Sequence, residues 1–242
     1  MKALGRLLLL VLCATLLLQL FFVARIAVMA WLDPESTSYQ RSEAWQLAHS
    51  SEGLRWRQQW VDYGQISSNL KRAVIASEDA GFMDHHGVEW DAVQRAWQRN
   101  AKAEARAMQA EKAGNNSKPA KVYGGSTITQ QLAKNLLLSG ERNFLRKGQE
   151  LVLAQLLELM LSKQRILEIY LNNVEWGQGV FGAEAAARHY FHKSAAQLNA
   201  AEAARLAAML PAPKRFEKMP QSRYLAQRSR TIARYIPMVT PP

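Results

Sequence analysis

The chain has 242 residues, 48% hydrophobic and 21% charged, which suits one domain with an attachment segment and excludes a disordered chain. Its single cysteine, Cys13, excludes an internal disulfide framework and a thiolate zinc site. Lys plus Arg outnumber Asp plus Glu by 31 to 20, a net charge of +11 that points to an anionic partner: nucleic acid, anionic lipid or a phosphorylated substrate.

Leu7 to Ala24 (LLLLVLCATLLLQLFFVA) carries no charge, and Thr15 and Gln19 are its only polar side chains. Eighteen helical residues span roughly 27 Å, close to a bilayer core. Arg25 interrupts the run, within snorkelling reach of the headgroups, and IAVMAWL resumes it. Lys2 and Arg6 precede the run, which keeps the N-terminus cytoplasmic and puts everything after Trp31 outside the cytoplasm. The rival reading is a cleaved signal peptide, since Val28-Met29-Ala30 is a tolerable cleavage site. With the anchor retained, nucleic acid drops out as a partner and the membrane surface with its lipid-linked phosphates takes its place.

The remainder reads as mainly α. Residues 1–32 form the cytoplasmic tip and anchor, and the polar stretch 33–59 reads as a linker. Residues 60–213 read as the domain, and 214–242 as a basic terminal helix and tail. Helical spacing is predicted over Ile66–Glu78, Trp90–Met108, Ser126–Leu138, Phe144–Asn172 (with a break near Ser162), Phe181–Phe191, Ala195–Leu210 and Arg223–Ile236. Gln109 to Val122 (QAEKAGNNSKPAKV) lacks apolar periodicity and reads as a loop, so 100–122 is expected to be a flexible insertion. Asn173 to Val180 has room for a short hairpin. The basic tail after Pro213 reads as a solvated helix in preference to a lipid-headgroup site.

Four clusters carry the chemistry. Ser77 to Gly87 (SEDAGFMDHHG) sets three carboxylates and two imidazoles at the end of an apolar helix. A carboxylate leaving such a helix into a cleft has its pKa raised by desolvation, which suits a general base; the alternative is a solvated helix terminus. Gly124 to Asn135 (GGSTITQQLAKN) is a glycine loop feeding a capped helix start, with Thr127, Gln131 and Lys134 on one face. Arg146, Lys147 and Glu150 share a helix face beside a strongly apolar run. As a surface ladder each pair there contributes only about 0.3–0.5 kcal/mol; bordering a buried cleft, the cations suit a diphosphate. Lys163 to Asn173 (KQRILEIYLNN) reads mostly as core and helix packing.

In this order and spacing, EDAGFMDHHG, GGSTITQQLAKN, RKGQE, KQRILEIYLNN and GQGVFGAEAAARHYF resemble the glycosyltransferase domain of peptidoglycan polymerases, glycosyltransferase family 51. The resemblance covers about Trp60 to Pro213. It implies a lysozyme-like glycosyltransferase head with a small membrane-associated jaw behind one N-terminal transmembrane helix. It also implies polymerisation of lipid II from a growing lipid-linked glycan strand, on the periplasmic face of the cell inner membrane. By motif position, Glu78 corresponds to the general base and Glu150 to the second acidic residue, near the leaving phosphate. Lys134, Arg142, Arg146 and Lys147 match diphosphate-holding positions. Ser126, Thr127 and Gln131 match the donor-cleft motif. Asp79, Phe82, His85 and Asn135 complete the expected substrate-binding set. No fixed metal or cofactor is expected: His189 and His192 are spaced i, i+3 without a third ligand, and a divalent cation (Mg or Mn) would be recruited by the substrate diphosphate. Cell-division or elongation proteins are candidate partners; nucleic acid is not. Two rivals stand beside this reading, a lytic peptidoglycan-cleaving enzyme of lysozyme-like fold and an inactive membrane-anchored cell-wall scaffold.

Overall fold

The computed structural model describes residues 2–51, 53–112, 125–138, 140 and 143–242, with backbone only at 111 and 112. Helix α1 (Lys2–Val28) is long and apolar enough to cross a bilayer, and it is the one such helix among the described residues. Most of its side chains are exposed apolar groups, as a lipid-facing span requires. Its outer end is not free. Phe22, Ile26 and Met29 are buried and join the main core of the protein.

The stretch expected as a linker instead carries a helix, α2 (Ser38–Ala48), and a short strand, β1 (Arg57–Gln58). Thr37 caps α2 in a reciprocal box with Gln40, which satisfies two otherwise orphaned backbone donors. The helix is fastened by polar contacts. Tyr39 donates to Glu175 at 2.7 Å, Ser38 donates to the Leu136 carbonyl at 3.1 Å, and Lys214 pairs with Glu43. Desolvation by burial pushes the Glu175 carboxyl up to about 7.

Helix α3 (Ser68–Glu78) starts at a Ser67 cap and buries Leu70, Ala73, Val74 and Ile75. Helix α4 (Trp90–Lys112) runs further than the periodicity predicts and takes in the first half of the expected insertion, whose remainder, 113–122, lies outside the described residues. Helix α5 (Ile128–Leu137) follows the Thr127 capping box with Gln130. The long apolar pattern breaks where expected. Helix α6 (Phe144–Met160) stops at Leu161, and Ser162 caps helix α7 (Lys163–Asn173) by accepting from the Arg165 amide at 3.2 Å.

The hairpin between Asn173 and Phe181 is present as β2 (Glu175–Gly177) and β3 (Val180–Phe181). Strand β3 also pairs in parallel with β1, giving the order β1-β3-β2. Trp176 in β2 is fully buried and donates its indole N–H to the Leu206 carbonyl at 3.1 Å. Gly182 has φ +85°, and a Cβ there would lie 2.6 Å from the Asn172 carbonyl oxygen, so only glycine fits this turn into α8 (Ala183–Phe191). Helices α9 (Ala200–Met209) and α10 (Pro213–Lys218) follow.

The terminal helix α11 (Arg223–Tyr235) is not the solvated tail that its charge suggests. Leu225, Ile232 and the following Ile236 form a buried stripe at heptad-like spacing, and they dock α11 onto α3 and α9. Three basic residues in eight (Arg223, Arg228 and Arg230 in RYLAQRSR) mask that stripe in a composition reading.

Candidate active site

Glu78 is the last residue of α3. The next residue, Asp79, leaves the helix with φ −162° and turns its side chain inward, while Glu78 stays at the surface of the core with its side chain 11% exposed. Burial pushes the Glu78 carboxyl above its ordinary range. Hydrogen bonds from Gln131 and Ser77 and the nearby Arg228 guanidinium pull the other way, and the neighbouring Asp79 adds to the rise. The Gln131 amide donates to one Glu78 oxygen at 3.2 Å, and the Ser77 hydroxyl donates to the other at 3.0 Å. Tyr170 donates its hydroxyl to Gln131 Oε1 at 3.0 Å. An ionised Glu78 carboxylate can only accept, so the NH2 end of Gln131 faces it and Oε1 is left to accept from Tyr170. Burial holds the Tyr170 phenol far above its usual range, so it remains a donor.

Arg228 reaches this corner from α11. Its guanidinium donates to the Ser77 hydroxyl at 3.1 Å and stands 3.8 Å from Glu78 Oε1. Sequence spacing gives no hint of this pairing, since about 150 residues separate the two and only the docking of α11 brings them together. The apolar stripe of α11 is the one signal that could have pointed to it.

Asp79, Phe82, His85 and Thr127 lie beneath this surface. All four are buried. Asp79 Oδ2 accepts from the Ile128 amide at 2.9 Å, at the N-terminus of α5, and its Oδ1 pairs with His85 Nε2 at 2.8 Å. The Gly87 amide donates to His85 Nδ1 at 3.2 Å, so the ring's proton sits on Nε2 and points at Asp79. The Thr127 hydroxyl donates to the Gly87 carbonyl at 2.6 Å. Lys163 completes the layer: its ammonium donates to the His85 carbonyl and to Glu158 and lies 4.5 Å from the Phe82 ring centroid. One carboxylate thus ties the loop after α3 to the start of α5, and the two motifs hold their relative position through it.

Asp79→Asn tests that tie. An amide offers one oxygen to two donors, the Ile128 N–H and the His85 Nε2–H, so one is left unpaired in a buried place. The expected cost is about 1–3 kcal/mol of stability, read as a lower midpoint in denaturant unfolding of the full chain.

Beyond Gln131 opens a cleft of about 670 Å³, lined by Ser126, Gln131, Lys134, Asn143, Phe144, Arg146, Lys147 and Glu150. The structure therefore gathers Ser126, Gln131 and Lys134 with Arg146, Lys147 and Glu150 on one cavity, while Thr127 is buried beneath it and Gln131 is the wall shared with Glu78. Asn135, half-buried one position past Lys134, does not line it. Arg142 lies outside the described residues. Asn143 and Phe144 line the cleft without having been singled out in the sequence; Asn143 also caps α6 by accepting from the Arg146 amide at 2.7 Å.

Glu150 is 3% exposed and has a cation on each oxygen. Arg146 donates to Oε2 at 2.9 Å, and Lys147 pairs with Oε1. The Lys147 ammonium also stands 3.4 Å from the Ser126 hydroxyl. The buried carboxylate aligns two cations on the cleft wall and neutralises only one of their charges, which leaves a net positive surface for an anion.

The cleft wall is thus cationic, and the desolvated Glu78 carboxyl lies on the far side of Gln131. The transglycosylase family model matches residues 46–236. The chain is 52% identical to a biosynthetic peptidoglycan transglycosylase of Paraburkholderia xenovorans, over 91% of this chain and 86% of that protein. It is 50% identical to a protein of the same description from Bordetella pertussis, over 96% and 91% of the two chains. A third, from Bordetella avium, is 48% identical over 98% and 95%. With most of its length matched by the family model and by relatives near 50% identity, the chain belongs to the transglycosylase family.

Proposed function

We propose that this chain polymerises the glycan strands of peptidoglycan, with Glu78 as the general base and the Lys147, Arg146 and Lys134 wall as the seat of the donor diphosphate. The observation that carries the reading is the polarity of the cleft. A carboxylate with a raised pKa sits across Gln131 from a cationic wall held in place by Glu150.

In this reaction the acceptor is lipid II, and the donor is the growing lipid-linked strand. Glu78 takes the proton of the acceptor sugar hydroxyl. The oxygen forms its bond to the donor's anomeric carbon from the face opposite the diphosphate. The bond from that carbon to the phosphate oxygen breaks, and its electron pair leaves on the diphosphate, so the anomeric centre inverts. Charge develops on the leaving group, where preorganised cations stabilise it most. A diphosphate needs no acid to protonate it, so one working base and several cations suffice, unlike the two working carboxylates of a glycosidase. Glu150 then orients Lys147 and Arg146. Asp79, His85 and Thr127 are positioning residues that hold α5 and Glu78 in register.

Both Glu150 oxygens are paired with cations, and among the described residues no group of three His, Cys, Asp or Glu side chains is placed to hold a metal ion. A divalent cation arriving on the diphosphate would be part of the substrate, and no step is assigned to it.

The reading places α1 across the cell inner membrane with Lys2 and Arg6 on the cytoplasmic side and the catalytic domain on the periplasmic side. Labelled lipid II incubated with the purified full-length protein is the test. Polymer that muramidase digests is expected. Wild-type protein that binds lipid II without extending it would favour the scaffold reading, and release of anhydro-muropeptides from purified sacculi would favour the lytic one.

A further inference from the structure

Gln19 stands alone in the apolar span as a polar side chain that cannot satisfy itself. Thr15, the other polar residue of that run, returns its hydroxyl to the Val11 carbonyl at 2.8 Å, one turn back in the same helix. Gln19 instead exchanges two hydrogen bonds with Gln149 of α6, each amide donating to the other's oxygen at 3.1 Å. Gln149 is the residue next to Glu150 in the cationic wall.

The surroundings agree with a docked helix rather than a chance contact. Gln19, Phe22, Ile26 and Met29 fall at i, i+3, i+7 and i+10, one face of α1, and the last three are buried against the domain. Arg165 fastens the upper end of the same helix. Its Nε donates to the Met29 carbonyl at 2.8 Å, and its Nη2 donates to the Leu32 carbonyl at 3.0 Å and pairs with Asp33 at 2.8 Å. Gln19 lies six residues, roughly 9 Å, below Arg25 along the helix, so its partner on α6 reaches the hydrocarbon edge. Helix α6 is built for that depth. Leu145, Val152 and Leu159 repeat at seven-residue spacing and are 89%, 49% and 81% exposed, an unpaired apolar stripe for lipid.

We propose that the Gln19–Gln149 amide pair locks the register of the membrane span against the donor wall, so that α1 is a working part of the catalytic unit and not only a tether. In lipid neither amide has water to fall back on, so each depends on the other. Sliding α1 by one residue would turn Gln19 off this face and leave Gln149 unpaired one position from Glu150. The lock therefore holds α6, and with it Lys147 and Arg146, at a fixed depth for a lipid-linked diphosphate. This inference rests on the glycosyltransferase reading above.

The experiment uses full-length protein in liposomes with lipid II. Gln19→Leu and Gln149→Leu are each expected to lower kcat by roughly three- to ten-fold, with little change in the KM for lipid II, from the usual strength of interhelical hydrogen bonds in membranes. In a Cys13→Ser background, the pair Gln19→Cys and Gln149→Cys is expected to be slowed likewise. A short thiol-to-thiol cross-linker should join the two and restore the rate. Single variants within two-fold of wild type, or a pair that fails to cross-link, would overturn the lock. A wild-type protein that makes no polymer would instead overturn the function, while cross-linking would still report the docking.

Discussion

Glu78→Gln is expected to abolish polymerisation, with a loss of about 10²- to 10⁴-fold, the usual contribution of a positioned general base. The substitution keeps the shape of the side chain and an oxygen for the Gln131 donor, so lipid II binding should survive while turnover fails. Its effect on stability should have the opposite sign. The folded protein raises the Glu78 pKa by desolvation. The stability this group contributes is therefore present below the ordinary carboxylate pKa and lost as pH rises through the raised value. At neutral pH the neutral amide removes that penalty, so Glu78→Gln should unfold at a higher temperature than wild type, with the gain vanishing in acid. An inactive variant that is also less stable at neutral pH would mean that Glu78 serves structure rather than chemistry.

Lys147→Ala should be the second large effect. Its ammonium is held by Glu150 and faces the cleft beside Ser126, where the proposed reaction has the leaving diphosphate gather charge. Removing one preorganised charge at such a point costs about 10²- to 10³-fold in kcat. Lys147→Arg should recover part of that loss, since charge is kept and the fork geometry changes. Lys102→Ala, a substitution of an exposed cation on α4 that does not line the cleft, is the control and should stay within two-fold. The check is the initial rate of lipid II consumption at saturating substrate. Equal losses for Lys147 and Lys102 would show that bulk positive charge, and not this wall, handles the donor.

The parts of the fold legible in the sequence are those whose cause is local. The start of α5 is written in Thr127 and Gln130, a capping box three residues apart, and the break between α6 and α7 is written in the Ser162 cap. The Glu150 ion pairs follow from i, i+3 and i, i+4 spacing on one helix. Helix α2 was hidden for the opposite reason. Its buried residues are Gln40, Glu43 and Leu47, so no apolar period marks it, although Thr37 and Gln40 carry the same capping signature as α5. What holds it is partners more than 90 residues away, such as Glu175 and the Leu136 carbonyl.

The site divides along the same line. Motif resemblance named Asp79, Phe82, His85 and Thr127 beside Glu78, but only the fold shows that the four turn inward, with Asp79 on His85 and the Ile128 amide and Thr127 on the Gly87 carbonyl. Arg228 and the Gln19–Gln149 pair are long-range contacts between segments that look like a charged tail and a plain anchor. The apolar stripes of α11 and of the outer half of α1 hint that each helix docks, but no spacing says which distant residue Arg228 or Gln19 meets.

The pH dependence of kcat for wild type and Arg228→Gln tests the central claim most directly. If Glu78 is the base, the rate rises with pH along a single limb whose midpoint lies above the ordinary carboxylate range. The Arg228 cation favours ionised Glu78, so its removal should move that limb to higher pH while leaving the plateau rate nearly intact. A wild-type rate that is flat through the acid range, or a limb that stays in place in Arg228→Gln, would contradict the assignment of Glu78 as the base.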